Sequence, residues 1–124
     1  MPGTKTETAQ SNILSQSVVE GMLAMKATDI VVMDLREVKN AVADFFVLCS
    51  GNSDTQIDSI SDSIEEKVFK LSNQNPWKRE GRENKEWILI DYVDVVAHVF
   101  NKEKRSFYGL EELWGDAKVT HIED

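Results

Sequence analysis

Cysteine and histidine are scarce in this chain of 124 residues, which has one cysteine, Cys49, and two histidines. A single thiol cannot form an intramolecular disulfide, and zinc sites built from four cysteines are excluded. A reducing, cytoplasmic location is therefore expected. A nucleophilic enzyme would need Cys49 or a serine beside a base, yet His98 lies in a predicted strand and His121 in a polar terminal segment. We therefore expect neither enzymatic activity nor a cofactor.

Long hydrophobic runs and an excess of basic residues are also missing. No stretch approaches the ~20 apolar residues that a membrane span requires, and residues 1–10 lack the apolar core of a signal peptide. The chain carries 14 Lys and Arg against 22 Asp and Glu, a net charge of −8. Because nucleic-acid binding depends on clustered Lys and Arg, a basic protein is the better partner for this chain. Neither a membrane nor a specific nucleic acid is expected to bind it.

The remaining composition is that of an ordinary folded domain. Hydrophobic residues at 41% and charged residues at 29% lie near the averages for globular proteins, and the length suffices for one core. Residues 1–10 are polar and aperiodic, so a disordered N-terminal tail is predicted there. Residues 11–117 are expected to form the single domain, and residues 118–124 a polar C-terminal tail.

The spacing of apolar residues predicts an α+β fold with one mixed sheet flanked by helices. The best-defined helix begins after Ser53, whose hydroxyl can accept from the amide of Gln56, and ends near Ser72. The strands predicted over Asp29–Leu35 and Asp44–Ser50 are separated by a connection too short for a helix, so we expect them to be antiparallel. The other predicted elements are a helix over Ser11–Lys26, strands over Glu86–Asp91 and Asp94–Phe100, a short strand near Trp77, and a helix over Phe107–Trp114.

The last two strands are predicted to form a hairpin in which Asp91 faces Asp94. One face of the hairpin would then be wholly apolar and belong to the core. The other face would combine large apolar side chains with Trp87, the two aspartates and His98, a mixture typical of an interface. We expect these four side chains to be at least partly accessible.

Other interpretations of the same residues stay open at this point. Asp91 and Asp94 flank a turn, where they either hold a cationic partner or are simply solvated. With His98 they supply three potential metal ligands, although nothing in a hairpin makes them converge. The run Ser50–Ser53 could hold a phosphate at a helix N-terminus, but a helix cap is the simpler interpretation. Cys49 is predicted to be a small buried hydrophobe.

The chain contains several separate motifs, formed by Ala43–Gly51, Ser53, Gln56, Ile57, Trp87, Asp91, Tyr92, Asp94–Phe100, Arg105, Tyr108, Leu110, Glu111, Leu113 and Trp114. Taken together, these motifs resemble the ribosomal silencing factor family, also called Iojap. The similarity spans roughly Val18 to Ala117, and it departs from the usual family pattern at Val93, where glycine is common, and at Ala97, where valine is common.

The resemblance implies a non-catalytic factor that binds large-subunit ribosomal protein fourteen on the intersubunit face and blocks joining of the ribosomal subunits. It would repress translation when nutrients are limiting, and a homodimer of the free protein is left open. The implied fold is similar to that of nucleotidyltransferases without their catalytic residues. The implied partner-binding residues are Trp87, Asp91, Tyr92, Asp94, His98 and Tyr108.

The competing hypothesis is a small nucleotidyltransferase-like enzyme. It would use nucleotide and Mg²⁺ at Ser50 and Gly51 together with an acid such as Asp34. Such an enzyme should bind nucleotide with Mg²⁺, whereas a silencing factor should co-sediment with large ribosomal subunits and ignore nucleotide.

Overall fold

The computed structural model describes residues 4–104, 115 and 117–122, with side chains from residue 10 onward. Within these residues the chain forms two helices and a six-stranded sheet in the order β3-β4-β5-β2-β1-β6. Strands β2 and β5 are parallel, and all other neighbouring strands are antiparallel. The elements are α1 (Thr4–Ala24), β1 (Thr28–Asp34), β2 (Phe45–Gly51), α2 (Asp54–Ser72), β3 (Lys78–Glu80), β4 (Trp87–Asp91), β5 (Val95–Asn101) and β6 (Lys118–Ile122).

The α+β fold with a mixed sheet is confirmed, as is the antiparallel pairing of β1 with β2. Helix α2 begins where its cap predicts, because the Ser53 hydroxyl accepts a hydrogen bond of 3.1 Å from the Gln56 amide. It ends at Asn73, which adopts a left-handed conformation with φ of 54°. The likeness to nucleotidyltransferases stays a prediction.

Helices α1 and α2 cover one face of the sheet and enclose the larger hydrophobic core. The apolar stripe of α2 is fully buried there from Ile57 to Val68, whereas its last residue, Leu71, is 50% exposed, and Cys49 is buried as predicted. The core residues contributed by the two helices are Leu14, Val18, Met22, Ile57, Ile60, Ile64 and Val68. Because strands alternate their side chains between faces, the next residues along each strand lie on the second face of the sheet. That second face includes Val31, Met33, Phe46, Leu48, Trp87, Leu89, Val96 and Phe100.

Both predicted tails differ from the structure. Helix α1 begins at Thr4, so residues 4–10 are helical rather than disordered. Extension of a helix that is already nucleated by its packed segment costs little per residue, which explains the longer helix. Residues Lys118–Ile122 form the edge strand β6, which pairs with β1 from Ile30 to Asp34. The predicted helix over Phe107–Trp114 lies outside the described residues.

The β4–β5 hairpin has the predicted faces but a different pairing. Asp91 pairs with Val96 rather than facing Asp94, because the chain turns through Tyr92, Val93 and Asp94. Val93 adopts a left-handed conformation with φ of 76°, and the Asp91 carboxylate accepts a hydrogen bond of 2.7 Å from its amide. A shift of two residues leaves every side chain on its predicted face, since the side-chain period of a strand is two.

Candidate functional site

An aromatic cluster occupies the second face where β4 begins and β5 ends. Trp87 pairs with Phe100 across the two strands, and their rings are nearly parallel with centroids 5.4 Å apart. The Trp87 indole Nε1 donates a hydrogen bond of 2.9 Å to Nδ1 of His98. His98 in turn contacts the ring of Phe46 on β2, with centroids 4.7 Å apart. Four rings from three strands therefore form one packed unit, and Trp87 is its half-buried member.

His98 is not accessible, contrary to the expectation from the sequence. It is only 2% exposed, and burial lowers the pKa of its imidazole to about 3. The side chain is therefore neutral at physiological pH and can act on a partner only through the residues around it. Its neighbours Leu48 and Leu89 flank it on the adjoining strands.

Tyr92 lies away from the aromatic cluster, in the core beneath the helices. It is 5% exposed, and burial raises the pKa of its phenol, with the nearby Glu65 carboxylate adding to that effect. The residue supports the hairpin turn from below, because its amide donates to the Val95 carbonyl and its carbonyl accepts from the Asp94 amide. Tyr108, the sixth predicted partner-binding residue, lies outside the described residues.

The two aspartates lie at the opposite end of the hairpin from Trp87. Trp87 and Asp91 are four positions apart along β4, so their Cα atoms are separated by roughly 13 Å. Asp91 is partly buried and Asp94 is exposed. The predicted site is thus divided into an aromatic cluster and an acidic hairpin tip, which lie on one continuous hairpin.

Exposed apolar side chains surround the acidic tip. Val42 is 76% exposed, Trp77 69% and Val93 56%, and they line a shallow depression of about 380 Å³ together with Asp91 and Val96. Sequence reasoning missed these three residues because they lie in connections, where no periodicity separates buried from exposed positions. The one signal in the sequence was Trp77, a large aromatic residue directly before the charged run Lys78–Glu80.

The geometry argues against the alternative enzymatic site. Asp34 pairs with Phe45 at one end of β2, whereas Ser50 and Gly51 lie at the other end, roughly 20 Å away. The Arg36 guanidinium donates hydrogen bonds of 2.9 and 2.6 Å to the Asp34 carboxylate and lowers its pKa. Asp34 therefore forms an ion pair with Arg36, and this pair lies far from the nucleotide site that the alternative requires.

Two further classes of site were searched for in the part of the chain that the structure describes. There, His, Cys, Asp and Glu side chains form no group of three or more that could hold a metal ion. Neither described helix is long and apolar enough to cross a membrane.

Comparison with known proteins identifies relatives over nearly the whole chain. The family described as "Ribosomal silencing factor during starvation" matches residues 6–124. Ribosomal silencing factor RsfS of Bacillus subtilis (strain 168) is 41% identical over 79% of this chain and 81% of its own length. The RsfS of Halalkalibacterium halodurans is 38% identical over 89% of this chain and 92% of its own. A crystal structure of a Bacillus halodurans protein superposes with a TM-score of 0.71 and 32% identity, covering 88% of this chain and 95% of that one.

Proposed function

Because this chain belongs to the ribosomal silencing factor family, we propose that it binds the large ribosomal subunit and blocks its association with the small subunit. The docking partner is large-subunit ribosomal protein fourteen on the intersubunit face. Binding there leaves no room for the small subunit, so translation is repressed when nutrients are limiting. The protein acts in the cytoplasm as a regulator without catalytic activity, and a homodimer of the free form stays a prediction.

The β4–β5 hairpin is the surface that supports this proposal. Its second face presents the half-buried Trp87, and its tip carries Asp91 and Asp94 beside exposed apolar side chains. Aromatic anchors with an acidic surround suit a basic protein surface, and the net charge of −8 favours the same partner. We therefore assign Trp87, Asp91 and Asp94 as direct contacts. Tyr92 and His98 support them from within the fold, and Tyr108 is retained from the family resemblance.

The test measures large-subunit binding and subunit joining in parallel. Truncation of an interface hot spot commonly costs ~2 kcal/mol or more, which corresponds to roughly thirtyfold weaker binding. We expect Trp87→Ala to raise the dissociation rate and to lose inhibition of subunit joining in proportion. Phe69→Ala is the matched control, because Phe69 is an exposed aromatic on α2, in the helix layer. Nucleotide with Mg²⁺ should leave binding unchanged.

Two outcomes would contradict the proposal in different ways. A folded Trp87→Ala protein with unchanged affinity would show that the hairpin face is not the docking surface. A folded variant that saturates the large subunit yet permits normal joining would show that occupancy alone does not silence the ribosome. Circular dichroism of each variant establishes that it is folded.

A further inference from the structure

His98 is a polar residue in a position that favours a hydrocarbon. Its side chain is almost completely buried on the second face between Leu48 and Leu89. Its Nε2 atom is buried and has no hydrogen-bond partner among the residues that the structure describes. An unpaired polar group in an apolar environment costs free energy, so leucine at this position would be the more stable choice on burial alone. Burial therefore does not account for an imidazole at this position, and its role has to come from its contacts.

The hydrogen bond from Trp87 determines which tautomer the neutral His98 imidazole adopts. A neutral imidazole has one nitrogen that donates and one that accepts. Because Nδ1 of His98 accepts from the Trp87 indole at 2.9 Å, the proton resides on Nε2. Within the described part of the chain, the hydrogen-bonded nitrogen of the His98 ring is therefore the one that receives the Trp87 N–H.

The acceptor is held rigidly. The His98 ring lies nearly parallel to that of Phe100, with an interplanar angle of 11° and centroids 6.2 Å apart, and it meets Phe46 at 4.7 Å. With rings on both sides, His98 cannot rotate without opening the packed cluster. The indole nitrogen of Trp87 is thus hydrogen-bonded to a rigidly packed acceptor on the neighbouring strand.

We propose that His98 is a positioning residue, which orients the Trp87 indole so that hydrocarbon, rather than the N–H group, is offered to the ribosome. This inference rests on the proposed function, since it requires Trp87 to contact the partner. It also defines the chemistry of that contact. A carbonyl or carboxylate of the partner would find no donor on Trp87, so the partner group that contacts it is an aliphatic, aromatic or cationic side chain rather than a hydrogen-bond acceptor.

A matched pair of substitutions separates the hydrogen bond from the packing. In His98→Asn the side-chain oxygen lies near the former Nδ1 position and can still accept, whereas His98→Leu has the same branched shape without an acceptor. The readout is nuclear magnetic resonance of the indole groups in ¹⁵N-labelled protein, with the Trp87 signal assigned through Trp87→Phe. We expect a scalar coupling between Trp87 Nε1 and His98 Nδ1 in the unsubstituted protein, and a displaced, broadened Trp87 signal in His98→Leu.

Affinity for the large subunit is then measured for the same proteins. We expect binding at least tenfold weaker for His98→Leu and less than threefold weaker for His98→Asn. Equal losses for both variants, or unchanged affinity of a folded His98→Leu protein, would overturn the positioning role. If Trp87→Ala binds normally, the proposed docking surface fails instead, so the two failures are distinguishable.

A second substitution covers the case in which His98→Leu does not fold. Replacing Trp87 with 3-benzothienylalanine exchanges the N–H for sulfur and leaves His98 in place. The ring keeps the size of an indole but no longer donates a hydrogen bond to His98. We therefore expect at least tenfold weaker binding to the large subunit here as well. Normal affinity of the folded analogue would overturn the inference.

Discussion

Gly21 of α1 lies directly against Ile64 of α2. A Cβ added at position 21 would come within 2.6 Å of the Ile64 Cα atom, too close for any side chain. The Gly21 carbonyl also accepts a hydrogen bond of 2.7 Å from the Ser63 hydroxyl. The glycine, which weakens an isolated helix, is therefore what allows the two helices to approach each other backbone to backbone.

Gly21→Ala is expected to destabilise the protein even though alanine favours a helix. The substitution gains ~1 kcal/mol of helix propensity but forces an overpacked contact that typically costs about 1–3 kcal/mol. Because the clash is with backbone atoms, the upper part of that cost applies, and we expect the free energy of unfolding in urea to fall by about 1–2 kcal/mol. Gly115→Ala serves as the control, because a Cβ at Gly115 meets no atom of the described part of the chain within 4 Å. An increase in stability for Gly21→Ala would contradict the contact.

The sequence predicted those parts of the fold that depend on local patterns. Helix α2 follows from the Ser53 cap and its apolar stripe, and the faces of the β4–β5 hairpin follow from alternation. The pairing of Asp91 was predicted incorrectly because a β-branched residue, Val93, adopts a positive φ that its type disfavours. Strand β6 was missed because its polar sequence resembles a tail, and only pairing with β1 makes it a strand.

The candidate site was less predictable than the fold. Alternation placed Trp87 and His98 on one face, but it could not show that the rings around His98 close over it. The exposure of Trp77 depends on how the short strand β3 lies beside β4, with the Trp77 amide donating to the Asp91 carbonyl. These are long-range contacts, and a local pattern does not contain them.

The buried His98 should make stability depend on pH in the acid range. Its folded-state pKa of about 3 lies below the ordinary value of 6.5, so the unfolded chain takes up a proton first as the pH falls. This contribution to stability is complete above pH 6.5 and is lost progressively toward pH 3. At pH 5 the loss is about 2 kcal/mol.

The measurement compares urea unfolding at pH 7.5 and pH 5 for the unsubstituted protein and for His98→Asn. The decrease between the two pH values should be about 2 kcal/mol smaller in the variant, since asparagine does not titrate. His121→Asn is the control, because His121 is exposed on β6. An identical decrease in the unsubstituted protein and His98→Asn would show that His98 does not stay neutral in the fold.

Gln56 joins the end of α1 to the start of α2. Its side-chain amide donates to the carbonyls of Met25 at 3.2 Å and Lys26 at 3.1 Å, while its oxygen accepts from the Asn52 amide at 2.7 Å. Gln56→Glu keeps the acceptor, removes both donors and places a carboxylate beside two carbonyls. The favourable position of a negative charge near a helix N-terminus offsets only part of this loss.

We therefore expect Gln56→Glu to lower the free energy of unfolding by about 1–2 kcal/mol. Thermal and urea unfolding at neutral pH measure the change. Gln74→Glu introduces the same charge in the exposed segment after α2 and should have little effect. Equal stability of the two variants would show that the Gln56 bonds do not hold the helix ends together.

The acidic hairpin tip should act mainly on the rate of association with the ribosome. Asp91→Asn combined with Asp94→Asn removes two negative charges while preserving the oxygen that accepts from the Val93 amide. Long-range attraction to a basic partner is thereby reduced, and charges of this kind affect association more than dissociation. We expect about three- to tenfold slower association with the large subunit at low salt.

Salt provides the decisive comparison for this prediction. At about 0.5 M salt the screening length shrinks to roughly 4 Å, so the difference between the double variant and the unsubstituted protein should nearly vanish. Glu20→Gln with Asp54→Asn removes the same charge from exposed positions in the helix layer. If net charge alone steers binding, both pairs will slow association equally. A larger effect at the hairpin locates the steering charge at Asp91 and Asp94, and a slowing that persists at high salt would exclude an electrostatic cause.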